Sequence, residues 1–365
     1  MSLALSPALG GVVASIPSPS VSYFEIGPLR IYVYALCIIV GIIVAVLLTN
    51  SRLTRRGAEP WVVIDIAIFA VPLAIIGARI FHVLTHPNFY FGEGKNTWNP
   101  FEPGSVWAIW EGGIAIFGAL LGGAVGAWIG CRWTGIRFAS FADAMAPGML
   151  LAQAIGRFGN WFNHELFGQP TDLPWGLEIE PSNPAFPPGL APDTLFHPTF
   201  LYEVIWNLLG VFFLLWLGHR FRVQWGKLFA VYLIWYGAGR VVWESIRIDP
   251  SEIILGLRTN VWAALFAVLL GIVVIIVQTR RHPGLEPSPY VPGREGNNPS
   301  AVVQSQDDST EFVDVSEPPR PKSQPGPVPQ ALILRPRAKP DRRPSVTLPP
   351  QRTRGPTPSR CIRRS

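Results

Sequence analysis

Charge is what this sequence has least of. Of its 365 residues, 15% are Asp, Glu, Lys or Arg, against roughly 25% in a soluble domain. That deficit argues against a water-soluble globular chain. Cysteine is scarce as well: Cys37, Cys131 and Cys361 lie far apart, which excludes a CxxC metal pair and a disulfide framework. Cys37 and Cys131 sit in or beside apolar runs and read as packing residues. The first 30 residues have no basic stretch ahead of an apolar core, since Arg30 comes after it, so no cleaved signal peptide is expected. Neither HExxH nor GxSxG occurs, which leaves an intramembrane protease without support. No metal-ligand spacing appears, and no cofactor is expected.

What is abundant is apolar length. Apolar residues make up 49% of the chain, and several runs approach the 20 or so residues a helix needs to cross the hydrocarbon. Seven stand out, at 31–49, 61–84, 105–130, 141–161, 199–217, 227–246 and 259–279. The fourth is the weakest, because it carries Asp143, Gln153, Arg157 and Asn160. Fourteen tryptophans suit aromatic belts at two water interfaces. The expected fold is therefore an all-α integral membrane protein with about seven transmembrane helices.

Basic residues gather in alternate loops: Arg52, Arg55 and Arg56; Arg132 and Arg137; Arg220, Arg222 and Lys227; then Arg280 and Arg281. The positive-inside rule makes these loops cytoplasmic. The N-terminus is then outside, the C-terminus cytoplasmic and the number of spans odd, which supports keeping the fourth. Residues 1–30 read as an outer-face lead-in, 31–281 as the membrane domain, and the Pro- and Arg-rich segment 282–365 as a disordered cytoplasmic tail that buries too little to offset its chain entropy. Removing that tail is expected to leave activity intact. Gly118, Gly122, Gly126 and Gly130 form a small-residue ridge on the third span and read as helix packing. The long loops 85–104 and 162–198 both fall outside, where such loops tend to be functional.

Charge inside a span is costly and usually serves pairing or function. Arg79, Glu111, Arg157, Glu165, Glu203, Arg240 and Glu244 all fall in the outer half or at the outer interface, whereas Asp65 and Asp143 lie at cytoplasmic helix ends. Snorkelling explains one or two charges per end. It does not explain several arginines and acids together, with His82, His164 and His197 nearby. Arg240 and Glu244 are four apart and share a helix face, as do Gln153, Arg157 and Asn160. Two arginines from different helices suit a phosphate, which the planar guanidinium meets with two parallel bonds. A phosphodiester of the outer leaflet is the natural ligand.

At these residues the sequence resembles the prolipoprotein diacylglyceryl transferase family. Gly156-Arg157-Phe158-Gly159-Asn160-Trp161-Phe162-Asn163-His164-Glu165 is similar to its G-R-x-G-N-x-x-N-x-E signature. Ile26-Gly27-Pro28 with Tyr34, Trp110-Glu111-Gly112-Gly113, His197-Pro198 with Leu201-Tyr202-Glu203, and Tyr236-Gly237 with Arg240 and Glu244 resemble further motifs of the family, in order. The resemblance implies transfer of the diacylglyceryl group of phosphatidylglycerol to the lipobox cysteine of a preprolipoprotein, at the bacterial cell membrane, with a thioether formed and glycerol phosphate released. Partners would be phosphatidylglycerol, lipobox preprolipoproteins and the bilayer, with no nucleic acid.

On that reading Arg157 and Arg240 hold and polarise the phosphate, Asn160 bonds a phosphate or glycerol oxygen, Glu165 and Glu244 orient the arginines or glycerol hydroxyls, and Tyr34 bonds the ester region. Many members carry a histidine in the third span where this chain has Phe117. A mechanism needing that imidazole does not carry over. As catalytic base for the thiol, His197 is the best-placed replacement, since an imidazole titrates near neutrality; Glu165 is a second candidate, and unaided ionisation of the thiol is a third. The alternative reading is a transporter or channel with an outer-facing anion or lipid cavity. Transporters, however, carry polar groups through the midplane and often show inverted repeats.

Overall fold

In the computed structural model the described residues are 15–27, 29–91, 97–109, 112–249 and 251–294. Pro28, Lys95, Trp110, Glu111 and the expected tail from 295 onward lie outside them. Seven long helices follow one another among the described residues: α1 Val33–Thr54, α2 Val62–Thr85, α4 Ile116–Thr134, α5 Phe138–Phe162, α6 Thr199–Phe221, α7 Lys227–Ile246 and α8 Thr259–Arg281, with a single turn α3 at Pro87–Tyr90. Six are long and apolar enough to cross a membrane; α7, with 20 residues, is long enough but less apolar, since it carries Arg240 and Glu244. The helix thought weakest, α5, is among the six, and it is the most buried of them.

The third span begins later than its apolar composition suggests. Residues 105–115 are not part of α4, whose N-cap is Ala115, and Gly112 and Gly113 take φ of +95° and +69°. Two successive left-handed residues cannot continue a right-handed helix.

Small residues clasp the helices in pairs. A methyl at Gly118, Gly122 or Gly126 of α4 would run into the backbone oxygens of Gly77, Leu73 and Phe69 on α2. Gly41 and Gly148 bring α1 onto α5, and Gly237 and Gly271 bring α7 onto α8. Such close approach is what helix association requires where lipid is as apolar as leucine. α5 then packs on α6 and α7 and serves as the central post. The outward faces are apolar and exposed, as at Ile39, Ile42 and Ile43 of α1 and Phe266 and Leu269 of α8, which is the pattern of a lipid-facing surface.

Short antiparallel hairpins decorate the end that carries Arg157. β1 (Tyr23–Ile26) pairs with β2 (Leu29–Tyr32) and leads into α1. In the long 162–198 connection, β3 (Leu177–Glu178) pairs with β4 (Leu195–Phe196), and Ile16 adds beside Leu177. Phe167, Leu177, Ile179, Phe196 and Phe200 form a small core beneath them. A third hairpin, β5 (Ile253–Ile254) with β6 (Leu257–Arg258), joins α7 to α8.

The opposite end corrects the boundary expected at 281. Residues 282–294 dock on the loops between helices. Tyr290 is 3% exposed and its hydroxyl accepts from the Glu59 amide at 2.8 Å. The Arg137 amide donates to Pro289 O, and the Val291 amide to Gly135 O. Ser140 donates to Glu286 at 2.6 Å. Proline richness suggested a chain without partners, but one buried aromatic and these polar contacts hold its first thirteen residues.

Candidate active site

The last turn of α5 and the first turn of α6 bring the charges together. Arg157 and Asn160 are three apart on α5, and Arg157 Nη1 donates to Asn160 Oδ1 at 3.1 Å. Asn160 Nδ2 donates in turn to Glu165 Oε1 at 2.8 Å, so the amide is fixed from both sides. Glu165 is within reach because the chain turns sharply after α5: His164 and Leu166 take φ of +52° and +60°, a strained conformation for residues with a side chain.

Arg157 Nη2 pairs with Glu203 Oε2 of α6 at 2.7 Å, and Arg240 Nη1 of α7 lies 4.0 Å from the other oxygen of the same carboxylate. The two arginines therefore converge from separate helices on one anion, and that anion is a residue of the chain. Glu203 is 5% exposed. Arg240 Nη1 is buried without a hydrogen-bond acceptor among the described residues.

Behind this pair sits a second carboxylate, Glu244, which is fully buried. Arg240 Nη2 is 2.9 Å from it across one helical turn, Arg258 Nε 3.0 Å, Arg247 Nη1 3.9 Å, and Asn260 Nδ2 donates to it at 2.9 Å. Asp249 closes the network by pairing with Arg247 at 2.6 Å and Arg258 at 3.2 Å. Buried charge is tolerable only when opposite charges are close at hand, as they are here. The network links α5, α6, α7 and α8, and Arg240 Nη1, Arg247 Nη1 and Arg258 Nε have no hydrogen-bond acceptor among the described residues; of these, Arg240 Nη1 is the one that faces Glu203.

The other expected residues separate into those the structure brings to this cluster and those it does not. Tyr34 lies against Gly159, where a methyl would strike its ring, so it stands beside the turn that holds Arg157 and Asn160. His197 is half-buried at the junction of β4 and α6, with Nδ1 3.2 Å from the hydroxyl of Tyr202, the residue before Glu203. Arg79 is a loop anchor. It donates to the carbonyl oxygens of Ser105, Val106, Gly112 and Gly113 and borders a cavity of about 250 Å³ with His82, His86 and Tyr90. Glu111 lies outside the described residues.

A larger cavity of about 450 Å³ opens in the 162–198 connection, lined by Ser18, His164, Glu178, Glu180 and Thr194 among others. His164 Nδ1 is 2.8 Å from Glu180 there. Burial works to raise the Glu180 carboxyl, but the His164 hydrogen bond, a backbone bond and the charge of His164 more than offset it and hold it below its ordinary value.

Sequence reasoning missed the bridging position of Glu203 and the whole of the Arg247, Asp249, Arg258 and Asn260 support. Glu203 carried a signal, as a membrane-embedded acid beside a motif. Arg247 and Arg258 looked like ordinary loop residues, and Asn260 gave no signal at all.

Residues 21–277 match the profile of the family described as prolipoprotein diacylglyceryl transferase. The chain belongs to that family. A phosphatidylglycerol–prolipoprotein diacylglyceryl transferase of Leifsonia xyli subsp. xyli is 61% identical over 306 residues, covering 82% of this chain and 92% of that protein. Similarly named proteins of Streptomyces coelicolor (46% over 274 residues; 75% and 84% covered) and Paenarthrobacter aurescens (47% over 273; 73% and 84%) also match. Names for group transfer give the transporter alternative no support. The residues on which the diacylglyceryl transferase resemblance rested all fall inside the matched region. Phe117 packs its ring on Phe81 at 6.1 Å between centroids.

Proposed function

We propose that this chain transfers the diacylglyceryl group of phosphatidylglycerol to the lipobox cysteine of preprolipoproteins, forming a thioether and releasing glycerol phosphate. The observation that carries the reading is the convergence of Arg157 and Arg240 on one anionic position, with a donor of Arg240 unused. It stands in a chain that is 61% identical to a named transferase.

The chemistry follows from that position. The thiol sulfur attacks the glycerol carbon that bears the phosphate ester, and the carbon–oxygen bond to phosphate breaks. Negative charge grows on the leaving phosphate, and two fixed guanidinium groups in a site shielded from water stabilise it as it forms. Asn160, held by Arg157 and Glu165, bonds a phosphate or glycerol oxygen. Glu165 fixes Asn160, Glu244 fixes Arg240, and Tyr34 bonds the ester region beside Gly159. His197, which is engaged with Tyr202, holds the outer connection in place.

In the bilayer all seven long helices cross, including α7, whose charged face is covered by α6 and α8. The basic loops lie in the cytoplasm, the N-terminus and the arginine cluster face outside, and 295–365 forms a cytoplasmic tail. The membrane is the bacterial cytoplasmic membrane, where lipid substrate and exported preprolipoprotein meet.

The test uses purified full-length protein, headgroup-labelled phosphatidylglycerol and a lipobox peptide. Glycerol phosphate is released only when the peptide is present, and Arg157→Ala abolishes the release in folded protein. Release independent of peptide, or unchanged release from Arg157→Ala, refutes the reading.

A further inference from the structure

We infer that Glu203 is the proton acceptor for the substrate thiol, freed for that role when the lipid phosphate takes over its two arginines. The inference rests on the transferase reading above. Glu203 is nearly buried, its two carboxylate oxygens face Arg157 and Arg240, and those are the groups the phosphodiester must claim. The other acids of the cluster are committed differently. Glu244 has Arg240, Arg258 and Asn260 around it, and Glu165 holds Asn160. Among the imidazoles of this end, His164 uses both nitrogens, on Glu180 and on Pro19 O, and His197 is held at Tyr202.

Once the phosphate sits on both guanidinium groups, Glu203 is a buried carboxylate whose partners are shared or lost. Such a group is costly to leave charged and becomes neutral by taking a proton. The geometry supplies one. The glycerol carbon is attached to the phosphate held by Arg157 and Arg240, so the thiol approaching that carbon comes within a few ångströms of Glu203.

The step balances. The S–H bond breaks and its proton goes to a Glu203 oxygen. The sulfur electron pair forms the S–C bond, and the C–O bond breaks with its pair on the phosphate oxygen. The phosphate goes from one negative charge to two while Glu203 goes from one to none, so the net charge of the cluster is constant through the reaction. In a medium where uncompensated charge is expensive, this coupling lowers the barrier. When glycerol phosphate leaves, it or water takes the proton, and Glu203 returns to its arginines.

The experiment compares full-length enzyme with Glu203→Gln and Glu203→Asp, using lipobox peptides that carry either cysteine or selenocysteine at the acceptor position. A selenol is already ionised at neutral pH and needs no base. With cysteine, Glu203→Gln loses about 100-fold or more in kcat while KM for phosphatidylglycerol changes much less. Selenocysteine restores its rate to near that of the unaltered enzyme. Glu203→Asp, an acid with shorter reach, falls between on both measures. A Glu203→Gln enzyme that handles cysteine at the unaltered rate overturns the inference. So does one equally inactive with selenocysteine although it still binds phosphatidylglycerol. If Glu203→Gln does not fold, the selenocysteine-to-cysteine rate ratio of Glu203→Asp decides, and a ratio equal to that of the unaltered enzyme refutes the role. Failure of the unaltered enzyme with both peptides counts against the transferase reading instead.

Discussion

Replacing Glu244 with alanine removes the fully buried carboxylate on which Arg240, Arg258, Arg247 and Asn260 converge. The consequences differ for each partner. Arg247 keeps Asp249 at 2.6 Å, and Arg258 keeps Asp249 at 3.2 Å together with carbonyl oxygens of the 244–249 turn. Arg240 keeps only the 4.0 Å approach to Glu203 among its ion pairs. One buried guanidinium is thus left short of compensation, and breaking such a pair costs about 3–5 kcal/mol. For a membrane domain of this length that corresponds to roughly 6–12 °C in Tm at the lower figure. Thermal unfolding in micelles measures it. Activity should fall further than stability, since Arg240 loses the neighbour that sets its rotamer. The double variant Glu244→Ala with Arg240→Met removes both charges and recovers part of the Tm but none of the activity. A Tm within about 2 °C of the unaltered protein for Glu244→Ala, or activity recovered along with Tm in the double variant, would show that Glu244 does not position Arg240.

Asn160→Ala deletes the acceptor of Arg157 and the donor to Glu165, a loss of about 1–2 kcal/mol that reads as a roughly five- to thirtyfold drop in kcat, checked by steady-state release of glycerol phosphate. Truncation after Arg294 leaves the unfolding midpoint unchanged, whereas truncation after Arg281 removes buried Tyr290 and its bond to Glu59 and lowers stability by about 3 kcal/mol. Gly271→Leu drives a side chain into Ala230 O and Ile234, parting α8 from α7. It costs about 1–3 kcal/mol and reduces kcat as Arg258 and Asn260 are drawn away from Glu244. Glu180 has a folded value below its ordinary 4.5, so its contact with His164 contributes fully above that pH and is lost as the pH falls through the lowered value. Protease sensitivity of the 162–198 connection should rise only on acidification below pH 4.5, and Glu180→Gln should be sensitive across the whole range.

The parts of the site legible in the sequence are those fixed by helical repeat alone. Arg240 and Glu244, four apart, and Arg157 and Asn160, three apart, meet as their spacing requires. Glu203 was visible as a charge in a span, but which way α6 turns it is decided by the packing of α6 on α5 and α7, and no periodicity records that. Asn260 illustrates the limit more sharply: a single amide at the start of α8 becomes a partner of Glu244 only because Gly237 and Gly271 let the two helices touch. The misplaced start of the third span has a similar origin. Apolar composition over 105–115 reads as helix, yet the left-handed backbone at Gly112 and Gly113 ends that possibility, and Arg79 holds the resulting loop through its carbonyl oxygens.

The least apolar of the seven long helices to run between the two ends, α7, is also the one that carries both Arg240 and Glu244. Charged residues within a span are costly even away from its centre, so such a helix favours lipid less by itself than its neighbours do. Its polar face is covered instead by Glu203 of α6 and by Arg258 and Asn260 at the entrance to α8, and its small residues seat it against α8. The same contacts that cover the polar face of α7 are the ones that aim Arg240 at the anion position. Stability of this helix and geometry of the site are therefore not separable: a substitution that loosens α7 from its neighbours displaces a guanidinium, and one that neutralises the guanidinium changes how α7 is held.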